Sequence, residues 1–268
     1  MTDIYSKNPP NRDPRIEATG LSKRFRLQNG PRVILNLLLS LGAKRGDVLE
    51  ALKGIDISVV SGEVVALIGK NGSGKSTLLK ILAGLHVEDA GIIRMHGRSL
   101  YLSGLHFASN PYMTVRENIF LMGTVFGLRR KEIRDKMKEI LDFSGLPRFA
   151  DVETLKLSSG MQTRLNVSTT FYCMEQIRPS ILLLDEVLSV GGDIEFQAKS
   201  LEKIQSLVRG GAAVLIATHD LSFVEKFCDR AIWLEAGAIQ AEGEAAAVAR
   251  KYERAHEATN LPLTSSVL

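Results

Sequence analysis

The stretch GKNGSGKST at residues 69–77 restricts this chain more than any other. It follows the five-residue apolar run VVALI (64–68) and opens a segment with helical spacing up to residue 82. The nine residues fit G-x-x-x-x-G-K-[ST]. An unbroken apolar run of that length is expected of a strand buried on both faces, as in a parallel sheet. Gly69, Gly72 and Gly74 allow tight backbone angles and leave room for phosphate oxygens. With Lys70, Asn71 and Ser73 between them, successive N–H groups point inward and form an anion nest. The helix from about Lys75 adds its positive N-terminal end. In that pattern Lys75 reaches the β- and γ-phosphates of a nucleoside triphosphate, and the Ser76 hydroxyl, beside Thr77, ligates Mg²⁺.

A second half of the same site is expected at ILLLDE, residues 181–186. Four apolar residues predict a buried strand, and its acids fall at the C-terminal end, the end that faces the ligand in an open α/β sheet. Asp185 is placed to hold the Mg²⁺ shell, and Glu186 to orient and deprotonate an attacking water. Another apolar strand, 212–218, ends at His219, where the imidazole can hydrogen-bond the γ-phosphate. The other histidines, His86, His96, His106 and His256, read as structural.

The rest of the 268 residues suits a globular α/β chain, with 45% hydrophobic and 24% charged residues. That is too apolar for general disorder. The longest apolar runs, 33–41 and 181–190, are interrupted by Asn36, Ser40, Asp185 and Glu186, and fall short of the roughly 18–20 residues that cross a bilayer. The polar, proline-containing start is not a secretory signal. Two cysteines make no disulfide framework and suggest a reducing compartment. A net charge of +4 permits an anionic partner without requiring one.

Along the chain, residues 1–17 read as a flexible head. Residues 18–102 and 158–243 read as one core, with strands near 15–27, 48–60 and 91–102. Residues 103–157 read as a helical insertion, where Ile133, Met137, Ile140 and Leu141 follow helical spacing. Residues 231–235 and 238–241 suggest a hairpin around Gly237. Residues 244–268 read as a closing helix and tail. The segment PRVILNLLLSL, 31–41, fits a short apolar helix ended by Gly42. It is equally suited to packing on its own domain and to meeting a membrane partner. The charge run 129–138 reads as a solvated helix face.

The discriminating piece is LSSGMQTRL at 157–165. It resembles the signature sequence of the ABC transporter ATPases, and the order of loop, helical insertion, signature, acidic strand and histidine is also theirs. The resemblance covers about residues 16–258. It implies a RecA-like P-loop NTPase core with a β-rich N-terminal part and an inserted helical subdomain. It also implies a homodimer with two ATPs sandwiched head to tail, in which Ser158, Ser159, Gly160 and Met161 of one copy meet the γ-phosphate held by the loop of the other. Phe25 in LSKRFR sits where the family places a ring that stacks on adenine; the alternative for a lone Phe is core packing.

Some residues depart from the family pattern. Ser159 replaces one of the two usual signature glycines, and Met161 replaces the usual Gln. No Gln stands between Leu85 and Gln162, so the family's glutamine-loop sensor is altered. The loop SVGGD, 189–193, carries one glycine more than expected.

The SSGM signature, the DEVLSVGG-D-x-x-F stretch and the long insertion before the phosphate loop are similar to the ATPase subunits of polysaccharide exporters. These serve lipid-linked O-antigen, capsule or teichoic acid. The implied partners are separate integral-membrane permease subunits, with no nucleic acid, and the implied location is the cytoplasmic face of the cytoplasmic membrane. An ABC ATPase for another cargo (a lipid, drug or sugar) and a soluble P-loop phosphotransferase are the alternatives.

Overall fold

The computed structural model describes residues 13–26, 48–103, 109–186 and 194–257. The apolar segment 31–41, the loop 189–193 and the residue His106 lie outside them. Two sheets organise the core. The smaller is antiparallel, in the order β2-β1-β4, from β1 (Pro14–Arg26), β2 (Val48–Val60) and β4 (Ala90–Met95). The larger has the order β5-β6-β7-β3-β8-β9. Its first five strands, β5 (Ser99–Ser103), β6 (Ile181–Asp185), β7 (Ala213–Ala217), β3 (Val64–Ile68) and β8 (Arg230–Glu235), pair in parallel, and β9 (Ala238–Glu244) returns antiparallel to β8. β1 takes in Pro14–Glu17, so ordered strand begins inside the segment expected to be a flexible head. Proline is tolerated there because it is the first residue of the strand.

Burial explains the continuous apolar runs. Side chains alternate along a strand, so a sheet covered on both faces needs apolar residues at every position. Val65 and Leu67 of β3 pack with Leu183, Leu215 and Ile232, against α1 (Lys75–Leu82) and the small sheet. Ala66 and Ile68 pack on the opposite face with Leu184, Ile216 and Trp233. That face is covered by α4 (Ser159–Ile177), α5 (Ile194–Arg209), α6 (Leu221–Phe227) and α7 (Ala245–Glu257).

A third cluster holds the helical insertion. Here α2 (Val115–Val125) and α3 (Arg130–Ser144) bury Val115, Ile119, Ile133, Met137, Ile140 and Leu141. The 3.6-residue spacing puts those α3 positions on one side of the helix, and its charged residues fall on the exposed side. Thr114 and Glu117 close a reciprocal cap at the start of α2. The helix α4 contributes Leu165 and Tyr172 to this cluster and Val167, Phe171 and Met174 to the central one. It therefore ties the insertion to the sheet, and the expected division at 157/158 does not separate two cores. Among the described residues no helix is long and apolar enough to cross a membrane.

Candidate functional site: a phosphate loop at the sheet's C-terminal edge

β3 delivers the chain to the loop, and the loop is walled by backbone from distant parts of the sequence. Gly69 has φ 144° and Gly74 has φ 111°. A Cβ on Gly69 would lie 2.1 Å from the Leu234 carbonyl oxygen, and one on Gly74 would lie 2.6 Å from the Ala51 carbonyl oxygen. These two glycines are required by contact as well as by angle. The Gly237 N–H donates to the Ser73 carbonyl (3.0 Å), and the Lys53 N–H donates to the Gly237 carbonyl (2.8 Å). The β8–β9 turn and the strand β2 thus brace the loop from one side.

Lys75, Ser76 and Thr77 form the first turn of α1, with Gly74 at its cap. The Lys75 Nζ donates to the carbonyls of Gly69 (2.6 Å) and Lys70 (3.0 Å), across the mouth of the loop. Burial pushes the Lys75 pKa down, opposed by the nearby charges of Glu186 and Asp185. The Ser76 hydroxyl donates to Asp185 Oδ1 at 3.0 Å. The other carboxylate oxygen, Oδ2, accepts from the Tyr101 phenol at 3.2 Å. Asp185 is 6% exposed, and a buried carboxylate needs such partners.

Glu186 follows directly, with φ 56° and its N–H donated to the Ala217 carbonyl. That left-handed backbone is rare for a side chain of this size. His219 Nδ1 lies 4.0 Å from Glu186 Oε1, and both side chains are exposed. Just beyond, Asp220 caps α6 by accepting the Phe223 N–H, and that bond holds its carboxyl below the usual range.

The loop residues, Asp185, Glu186 and His219 therefore meet at the C-terminal ends of β3, β6 and β7. Phe25 lies on β1, in register with Leu49 of β2. Its ring has His86 edge-on at 5.9 Å and the Lys23 ammonium at 5.4 Å. The signature residues lie on a different element. Ser158 caps α4 by accepting the Met161 N–H (3.3 Å), and Ser158, Ser159 and Gly160 are exposed while Met161 is half-buried. Gln162 fastens this turn by donating to the carbonyls of Thr154 and Leu157.

Sequence reasoning missed Tyr101 and the walls made by Ala51, Leu234 and Gly237. A mid-strand aromatic with a polar tip is the only local signal for Tyr101; the walls are backbone contacts and leave no composition signal.

The residues fit a nucleotide and a divalent cation. The Ser73 Oγ is buried at the loop with no hydrogen-bond partner among the described residues, and a phosphate oxygen is a suitable one. Gly69 and Gly74 let the loop lie close against the Leu234 and Ala51 carbonyls. Ser76 and Asp185 offer two oxygen ligands, as Mg²⁺ takes when phosphates and water complete its shell.

The model of the ABC transporter family matches residues 52–189. An O-antigen export system ATP-binding protein from Klebsiella pneumoniae, RfbB, is 40% identical over 205 residues, covering 76% of this chain and 81% of that one. A teichoic acids export ATP-binding protein from Bacillus anthracis, TagH, is 33% identical over 239 residues, 89% of this chain and 42% of its own length. Among solved structures, an ATP-binding subunit of an ABC transporter superposes with a TM-score of 0.66 at 24% identity, covering 89% of this chain and 93% of that one. A dimeric ATP-binding cassette in a post-hydrolysis state with ADP and phosphate superposes with a TM-score of 0.65 at 22% identity, covering 86% and 98%. Loop, acidic strand end, capped signature helix and these likenesses lead to one assignment: the chain belongs to the ABC transporter family of ATP-binding proteins.

Proposed function

We propose that this chain is the ATP-hydrolysing subunit of an ABC exporter that moves a lipid-linked polysaccharide of the O-antigen, capsule or teichoic-acid type across the cytoplasmic membrane. The observation that carries the cargo class is the 40% identity, over most of both chains, to a protein named for O-antigen export. The observation that supports the chemistry is the convergence of Lys75, Ser76, Asp185 and Glu186 at one sheet edge.

The loop N–H groups and Lys75 hold the β- and γ-phosphates of ATP. Ser76 and Asp185 would hold Mg²⁺, which supplies charge neutralisation at the phosphate oxygens when bound. Glu186 takes a proton from water as the water oxygen bonds to the γ-phosphorus. The bond from that phosphorus to the bridging oxygen breaks, and the bridging oxygen stays on ADP. His219, beside Glu186, hydrogen-bonds the γ-phosphate. The exposed N-terminal turn of α4 offers Ser158, Ser159 and Gly160, with Met161 at its rim, to the nucleotide of a second copy. ATP then closes a homodimer, hydrolysis removes the shared γ-contacts, and the dimer opens. Separate permease subunits, which the chain joins at the cytoplasmic face, receive that motion.

The test is Glu186→Gln with Lys75→Ala beside it. Glu186→Gln is expected to lose about 10²-fold or more of turnover while still binding ATP and eluting as a dimer with it. Lys75→Ala loses nucleotide affinity. In a cell that depends on this chain, both variants should stop surface display of the polymer and leave lipid-linked polymer inside. Full ATPase activity of Glu186→Gln would remove Glu186 as the base. Unchanged surface polymer would remove the cargo assignment.

A further inference from the structure

Tyr101 lies on β5, the edge strand of the large sheet, in register with Leu183 of β6. Its neighbours Leu100 and Leu102 pack into the central cluster, while Tyr101 turns to the opposite face and packs against the second. From there its hydroxyl reaches Asp185, at the end of β6. We propose that Tyr101 is a positioning residue for the metal-binding carboxylate: its O–H holds Asp185 Oδ2 so that Oδ1 stays turned to the Ser76 hydroxyl. This rests on the reading of Ser76 and Asp185 as the Mg²⁺ site.

A carboxylate's terminal torsion is broad and nearly two-fold, so an aspartate held at one oxygen can present either oxygen to a ligand. Asp185 is held at both, by α1 through Ser76 at 3.0 Å and by β5 through Tyr101 at 3.2 Å. The two anchors are not equivalent. Ser76 is itself a ligand of the cation, so its hydroxyl is shared once the metal arrives. Tyr101 is not among the proposed ligands, and its bond to Asp185 is the anchor that metal binding leaves alone. A phenol O–H is a donor and an ionised carboxylate accepts only, so the direction of this bond is set by the two groups themselves. Fixing a ligand's orientation from the outside is how partners beyond the coordinating atoms tune a metal site.

Tyr101→Phe keeps the ring and removes the hydroxyl. The measurement is binding of a fluorescent ATP analogue, in EDTA and across a Mg²⁺ titration, with Asp185→Asn in parallel. Affinity in EDTA and the melting temperature should match wild type, while the Mg²⁺ midpoint rises about threefold to tenfold, as loss of one hydrogen bond predicts. Asp185→Asn should raise it further. A Tyr101→Phe midpoint within about twofold of wild type, with Asp185→Asn shifted, overturns the proposal and leaves the metal site standing. Equal losses in EDTA and in Mg²⁺ also overturn it, since they mean a packing role. An unshifted Asp185→Asn removes the metal site itself, and Tyr101's role with it.

Discussion

At Gly69 one methyl group decides the site. The Leu234 carbonyl leaves no space for it, and φ 144° disfavours any side chain. Gly72, with φ 80°, has nothing among the described residues within 4 Å of a Cβ. Gly72→Ala should therefore cost only the left-handed strain, about 1–2 kcal/mol. Gly69→Ala adds a clash with fixed backbone; we expect it to cost clearly more and to abolish nucleotide binding. Denaturation midpoints and nucleotide titrations of the two variants check this, and equal costs would refute it. Lys75 gives a pH signature. Burial favours its neutral form and Glu186 opposes that. Nucleotide affinity should weaken with rising pH before an ordinary lysine would lose its proton, because the proton is the charge that meets the phosphates. In Glu186→Gln the opposing charge is gone, so the decline moves to still lower pH. Affinities from pH 7 to 10 test the order.

Among the elements, α2 and α3 pack tightly at Gly123, where a Cβ would come within 2.7 Å of Ile133 Cγ1 and Cδ1. Ile133 is 2% exposed, so it has little room to yield. Gly123→Ala should destabilise by about 1–3 kcal/mol and lower the melting temperature. ATP binding by the folded variant should survive, because this cluster is separate from the loop. Loss of binding without loss of stability would contradict that separation.

The strands β3, β6 and β7 were legible in sequence because a strand buried on both faces leaves an uninterrupted apolar run ending in polar chemistry. The same physics exposed Asp185, Glu186 and His219, which follow those runs. Residues 91–102 were less legible. They read as strand-like with turns, without showing that β4 pairs with β1 in the small sheet and β5 with β6 in the large one. The break is Gly97, with φ 123° and a Cβ position 2.5 Å from Ser180; the neighbour that makes this glycine necessary is remote in sequence. Tyr101 was hidden for a related reason, since an isolated aromatic in a strand looks like core until its hydroxyl's partner is known.

For the whole molecule, the proposed clamp makes catalysis a property of two copies. Each loop would be completed by the α4 turn of the other, so ATPase activity per mole of chain should rise with protein concentration and saturate as dimers form. Ser158→Ala should lower turnover more than binding to a single copy, since its hydroxyl caps α4 within the chain while its exposed turn would, in the proposed clamp, face a second nucleotide. Specific activity that stays constant down to dilutions holding only single chains would refute the clamp.

The loop's walls also set the order in which it can be built. β3 lies between β7 and β8, and Leu234 and Gly237 touch the loop directly. A ribosome that has made residues 69–77 has made the phosphate ligands but none of these supports. If the loop holds a nucleotide only when braced, ATP affinity should be gained late, when the β8–β9 turn has been made and the sheet closes.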